Sequence, residues 1–292
     1  MPELIIAYGP DGVGKTTFAA GAPNVVFLGS EKGTANLDVA RLPTPLKFED
    51  CQSAVTELLT QPHDFKSLAI DSLDWMEPLV WDKLCRDHGA PNIEAVGGGF
   101  GKGYTFAVKM WADFCAQLSM LREKRGMNVI ILAHAQVKTF QDPQQNAAYD
   151  RYQLKLHEKS AAVLREFVDC VLFMNYEVFT KVDDRTKKTR AFGEGVRVMH
   201  TERRPAYDAK NRFGLPEQIP FTESDGWQQY IASKNASNSS TPESIFAQIQ
   251  SLKKMIQDAE LLNKVDAAIL NAGQDTGKLS AILKRLRVLL NQ

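Results

Sequence analysis

The sequence predicts an α/β fold, a mainly parallel sheet covered by helices, followed by a small helical appendage. Three observations carry this. Leu4-Ile5-Ile6-Ala7-Tyr8 is an apolar, β-branched run leading directly into G-x-x-x-x-G-K-T at Gly9 to Thr16. Further short apolar runs recur at 24–28, 67–71, 128–132 and 170–174, alternating with helix-period segments, as buried parallel strands do. Beyond a Ser- and Asn-rich stretch, Thr241-Pro242-Glu243 carries a helix cap and first-turn proline, and amphipathic helices run on to Leu290.

The first run ends in a phosphate-binding loop: Gly9, Pro10, Asp11, Gly12, Val13, Gly14, Lys15, Thr16 and Thr17. Its glycines permit backbone geometry closed to other residues, so successive N–H groups converge on phosphate oxygens at the start of the next helix. Lys15 reaches the β- and γ-phosphates. The Thr16 hydroxyl takes one position on Mg²⁺, whose shell is completed by phosphate and water. ATP and Mg²⁺ are therefore the expected cofactors.

The run at 24–28 closes on Ser30-Glu31-Lys32-Gly33, and a carboxylate at the carboxyl end of a strand lies where open α/β sheets hold their ligands. Residues 48–59 read as a helix, with Glu49 and Asp50 in its first turn and Pro62 ending it. Ser67-Leu68-Ala69-Ile70-Asp71 closes on the aspartate expected to be the second magnesium-directed group. The glycine-rich segment 97–103 lacks a preceding strand, and Lys102 is followed by glycine, so it reads as a mobile connection or a contact loop for polynucleotide or a neighbouring subunit. Residues 106–124 form a long amphipathic helix. The strand at 128–132 delivers His134 and Gln136 to its carboxyl end, one to touch the γ-phosphate.

The polar stretch 138–150 reads as mobile, 161–167 as helical, and 177–182 with 191–201 as a hairpin. Between Lys181 and Arg212 ten Lys or Arg stand against five Asp or Glu. In a chain of net charge zero that is a concentrated basic patch, suited to a phosphate backbone or to a neighbour's nucleotide. Lys102, Lys138, Lys187, Lys188 and Arg190 are the candidate DNA contacts. The composition of 233–241 predicts a flexible linker between a core at 1–232 and an appendage at 242–292.

A chain of 292 residues with 44% apolar content can bury one full-sized α/β core. Its neutrality argues against a uniformly basic DNA-coating protein. The four cysteines form no C-x-x-C pair, so neither a zinc site nor a disulfide framework is indicated. No apolar run approaches the roughly 18 residues that span a bilayer. A soluble, cytoplasmic protein is expected, in the host bacterial cytoplasm if it is phage-encoded.

The phosphate loop, Phe27-Leu28-Gly29-Ser30-Glu31, Leu68-Ala69-Ile70-Asp71-Ser72 and the strand ending in His134 resemble, in order and spacing, the RecA-type P-loop ATPase core over residues 1–225. The ending Asp208-Ala209-Lys210-Asn211-Arg212-Phe213-Gly214 resembles that of bacteriophage RecA-like ATPases of the Sak single-strand annealing group. Its Lys-Asn-Arg-Phe-Gly part is similar to a motif of the RadA recombination ATPases. The resemblance implies that Glu31 activates water, that His134 or Gln136 senses the γ-phosphate, and that Lys210 or Arg212 reaches the adjacent subunit's nucleotide in a homo-oligomer. The first strand begins at residue 4, so RecA's amino-terminal oligomerisation domain is expected to be absent, as are RadA's zinc finger and protease-like domain.

These readings lead to an ATPase acting on single-stranded DNA in recombination or annealing, with a single-strand-binding or other recombination protein as a partner for the tail. An ATP-gated loading or scaffold protein is the alternative. A nucleoside or nucleotide kinase is disfavoured for want of a lid-like arginine series.

Overall fold

A computed structural model describes residues 2–29, 37–142, 147–177, 179–182, 189–192, 195–239, 242–253, 256 and 259–289. The chain divides into two compact units, one of Met1–Arg212 with Glu217–Tyr230 and one of Phe213–Pro216 with Ile231–Gln292.

The first unit is built on a sheet whose middle is parallel. Strands β1 (Leu4–Gly9), β2 (Val25–Gly29), β3 (Ala40–Arg41), β4 (Ser67–Asp71), β5 (Asn128–Phe140) and β7 (Cys170–Tyr176) lie in the order β7-β1-β5-β4-β2-β3. Beyond β7 the sheet continues with antiparallel β10 (Arg197–His200) and β12 (Gln218–Phe221), and short β11 (Lys210–Asn211) also pairs with β7. Every residue of β1 and β4 is buried, which is why they read as unbroken apolar runs rather than alternating ones.

Between the strands run α1 (Lys15–Ala20), α2 (Phe48–Thr60), α3 (Leu73–His88), α4 (Lys102–Arg125) and α5 (Glu158–Phe167). At the start of α2 the Asp50 carboxylate accepts the backbone N–H of Leu46 and of Lys47, at 2.9 and 3.1 Å, satisfying donors the helix leaves open. α4 packs against α2, α3 and α5. Its buried stripe of Trp111, Phe114, Leu118 and Leu121 shares one core with Leu4, Ile6 and Tyr8 of β1. A second contact closes α1: Phe18 meets Trp227 and Tyr230, ring centroids 5.6 and 6.1 Å apart, and the Tyr230 hydroxyl donates to Glu3 Oε2 at 2.7 Å.

Four expectations change. α4 begins at Lys102, so the last two residues of the glycine-rich segment belong to it, and a short 3-10 helix covers Ile93–Gly98. β5 runs on to Phe140 and pairs with β6 (Tyr149–Leu154), because backbone pairing across a hairpin holds a polar strand that has no face to bury. The 177–201 hairpin is instead β8 (Phe179–Val182) with β9 (Thr189–Phe192), while β10 joins the main sheet. Residues 233–239 are not a linker: they continue α6 (Gly226–Ser239), since nothing from Trp227 to Ser239 is Gly or Pro.

The second unit contains α7 (Pro242–Lys253), α8 (Ala259–Ala272) and α9 (Thr276–Leu289), around a core of Ile245, Ile249, Val265, Leu279, Leu283 and Leu286. No helix among the described residues is long and apolar enough to cross a membrane.

Candidate functional site

β1 delivers Gly9 to the carboxyl edge of the sheet, and the chain turns there into α1. Gly14, the N-cap of α1, has φ +99, a left-handed conformation that a side chain disfavours. At Gly9 the constraint is space, for a Cβ would lie 2.1 Å from the Met174 carbonyl oxygen. Lys15 is buried, and its amine donates to the carbonyls of Gly9 (3.1 Å) and Pro10 (2.9 Å), so it lies across the inside of the loop. The Tyr176 hydroxyl braces the outside, donating to the Gly12 carbonyl at 2.9 Å.

Asp71 ends β4, two strands from β1 in the sheet, and Thr16 stands in the first turn of α1. The Thr16 hydroxyl donates to Asp71 Oδ2 at 2.9 Å, joining residues 55 apart in sequence. A cavity of about 710 Å³ opens here, lined by the loop from Asp11 to Thr17, by Asp71, and by Asp74, Trp75 and His134. The hydroxyl and carboxylate oxygens are hard donors of the kind Mg²⁺ takes. Among the described residues no cluster of three or more His, Cys, Asp or Glu could cage a metal. A single carboxylate and one hydroxyl suit a magnesium ion whose other ligands are phosphate and water.

His134 follows the buried part of β5 and faces this cavity. Asp74, in the first turn of α3, holds it twice: Oδ1 accepts the His134 backbone N–H at 3.0 Å, and Oδ2 lies 2.9 Å from Nδ1. With Nδ1 on the carboxylate, Nε2 points at the phosphate loop, 3.1 Å from Asp11 Oδ1. Burial works to raise the Asp74 pKa, yet the His134 ring and backbone, with Ser72, outweigh it and hold the group at about 2. The spacing Asp71-x-x-Asp74, one helical turn past a strand end, was the available sequence signal for Asp74. Lys155 and Glu223, at the rim of the same cavity, had none.

The other expected residues are placed differently. The Gln136 amide donates to the carbonyls of Leu154 (2.8 Å) and Leu156 (3.2 Å), so it braces the β5–β6 hairpin and does not line the cavity. Lys210 closes the end of α5, its amine donating to the carbonyls of Arg165, Glu166 and Val168 at 2.8, 3.0 and 2.6 Å. Such carbonyls lack helical partners and attract a cation, which explains why this lysine is turned onto its own subunit. Arg212 pairs with Asp169 at 3.2 Å and is half exposed. Lys102 and Lys138 are exposed, at the start of α4 and on β5. Arg190 belongs to β9, while Glu31, Lys187 and Lys188 lie outside the described residues.

A family model described as AAA domain matches residues 2–213. No curated protein matches the chain. A solved structure titled "Crystal structure of the RadB recombinase" is similar at a TM-score of 0.42 and 16% identity, the match covering 76% of this chain and 88% of that one.

Proposed function

The chain belongs to the AAA domain family, and from that premise we propose that it is a magnesium-dependent ATPase that binds single-stranded DNA in recombination or strand annealing. The observation that carries the ATPase reading is the 2.9 Å bond between Thr16 and Asp71, which joins the phosphate loop to the acidic strand end. The DNA reading rests on the ten cations between Lys181 and Arg212 and on the resemblance to Sak-group and RadA ATPases. By that resemblance the protein is phage-encoded, works in the bacterial cytoplasm, and assembles as a homo-oligomer.

The residues divide the work. Lys15 exchanges its two loop carbonyls for the β- and γ-phosphates, and the loop N–H groups hold the same oxygens. Thr16 and Asp71 would hold Mg²⁺, which would supply charge neutralisation on the phosphates. Glu31 orients the attacking water. His134, aimed by Asp74, contacts the γ-phosphate and passes its loss to the β5–β6 hairpin, whose exposed Lys138 lies toward DNA. Arg212 serves the neighbouring subunit's nucleotide; Lys210, engaged on its own α5, positions the strand that presents Arg212.

A second reading draws on the separate core of α7, α8 and α9. A folded helical unit of this kind docks a partner, a single-strand-binding or other recombination protein, and the ATPase then acts as a gate for loading. The two readings part on one measurement, phosphate release from ATP with and without an unlabelled single-stranded oligonucleotide. Stimulation by the oligonucleotide, lost in Lys15→Ala, is expected. Turnover indifferent to DNA, with no retention of oligonucleotide on filters at any nucleotide state, would transfer the assignment to the loading protein.

A further inference from the structure

A second cleft, of about 400 Å³, lies between the β5–β6 hairpin, α5 and the chain before β11, and it shares no lining residue with the nucleotide cavity. Its wall carries Arg151, Arg165, Arg203 and Lys210, set against Asp208 and Glu166. Three of the cations gather on one carboxylate. Arg151 donates to Asp208 Oδ1 at 2.5 Å, Arg165 donates to Oδ2, and Arg203 stands 3.6 Å from Oδ1. One carboxylate cannot neutralise three guanidinium groups, so positive charge is left over in a concave site. Lys210 and Glu166 cancel without changing that excess.

Arg151 also donates to the carbonyls of Tyr207 and Arg204, at 3.1 and 3.4 Å, yet its hydrogen bonding is incomplete. Arg151 is 2% exposed, and its Nε has no hydrogen-bond partner although the atom is buried. Its guanidinium lies over the Phe140 ring, 5.2 Å from the centroid, which fixes its plane. A buried guanidinium N–H without an acceptor is penalised, and a fixed plane beside two further arginines is the geometry that grips a tetrahedral oxyanion through paired N–H donors. We infer that this cleft is a phosphate-binding site separate from the nucleotide loop, with Arg203 and Arg165 as its entrance and Arg151 as its floor. The phosphate group belongs either to a free phosphoryl ligand or to the backbone of a single strand.

The position also has a neighbour that matters. The Tyr8 hydroxyl, on the residue just before the phosphate loop, donates to the Asp208 carbonyl at 2.6 Å and accepts the Asp208 N–H at 3.0 Å. A ligand drawing the arginines off Asp208 therefore acts on a segment bonded to the root of the nucleotide site.

The test uses the full chain carrying Lys15→Ala, so that the nucleotide loop is silenced in every arm. Arg203, with a side chain 65% exposed, is the variant least able to disturb folding, and Arg165→Gln serves as the second. Pyrophosphate binding is measured by calorimetry, and binding of a labelled single-stranded oligonucleotide by anisotropy across a salt series, with circular dichroism confirming the fold. If the source is a free phosphoryl ligand, Arg203→Glu weakens pyrophosphate by about tenfold or more. If it is a strand, Arg203→Ala lowers the slope of log affinity against log salt by about one. Pyrophosphate affinity and salt slope both unchanged, in folded Arg203 and Arg165 variants alike, would overturn the site and leave the cluster as an internal brace.

Discussion

Asp74→Asn removes the charge that aims His134 while keeping the shape of the side chain. In the folded protein the carboxylate, 9% exposed, titrates at about 2 instead of its ordinary 3.8. The difference corresponds to roughly 2 kcal/mol of stability at neutral pH, at about 1.4 kcal/mol per unit. Because the folded-state value is depressed, this contribution is complete above the ordinary carboxylate range and is lost as pH falls through about 2. Wild type should therefore exceed Asp74→Asn by about 2 kcal/mol at pH 7. The gap should narrow between pH 4 and pH 2. Urea titrations of both proteins at several pH values, followed by tryptophan fluorescence, measure it directly. Every carboxylate common to the two proteins cancels in the comparison, leaving Asp74. A gap that stays constant into acid, or widens there, would mean that the Asp74 charge is not what holds His134.

Gly9→Ala places a methyl 2.1 Å from a backbone oxygen of β7 that cannot swing away. It should cost about 1–3 kcal/mol by the same urea assay and weaken nucleotide binding with it. Lys15→Ala should lose nucleotide binding outright, read by a fluorescent ATP analogue, whereas Glu31→Gln should retain binding and lose about 10² to 10⁴ in turnover. Mixing Glu31→Gln subunits with Arg212→Ala subunits should restore activity that neither shows alone if Arg212 works in trans, and no rescue in co-sedimenting mixtures would confine it to its own Asp169. Neutralising Lys187, Lys188 and Arg190 together should flatten the salt dependence of oligonucleotide binding, and an unchanged slope would move the contact to other cations.

The parts of this molecule that were legible in its sequence are those whose signal is local. Glycine spacing marks the phosphate loop, and unbroken apolar runs mark β1, β4 and the buried part of β5, so Thr16 and Asp71 could each be expected to face a magnesium ion, although their direct bond was not foreseen. Asp74 was overlooked because its value comes from His134, 60 residues away on β5, whereas Asp74 itself stands in the first turn of α3. The contacts of Lys210 within its own subunit were hidden for a related reason: the carbonyls that accept from its amine lie 42 to 45 residues earlier, at a helix end whose position the local pattern does not specify. The cluster of Arg151, Arg165 and Arg203 on Asp208 is a meeting of three separate segments, β6, α5 and the connection from β10 to β11. In the sequence it is only scattered charge.

The contact between Phe18 and the pair Trp227 and Tyr230 bears on how the chain is born. The helix that follows the phosphate loop leaves the ribosome well before the rings that cover its outer side, which arrive some two hundred residues later, and Tyr230 must also reach back to Glu3. Until then Phe18 lacks the two aromatic rings that cover it. The family match ends at residue 213, so a fragment cut to that boundary would carry every loop residue of the nucleotide site and still leave the back of α1 bare. The smallest piece worth expressing therefore runs through Tyr230, and a nascent chain should acquire nucleotide affinity late and in a single step, when that tyrosine clears the exit tunnel.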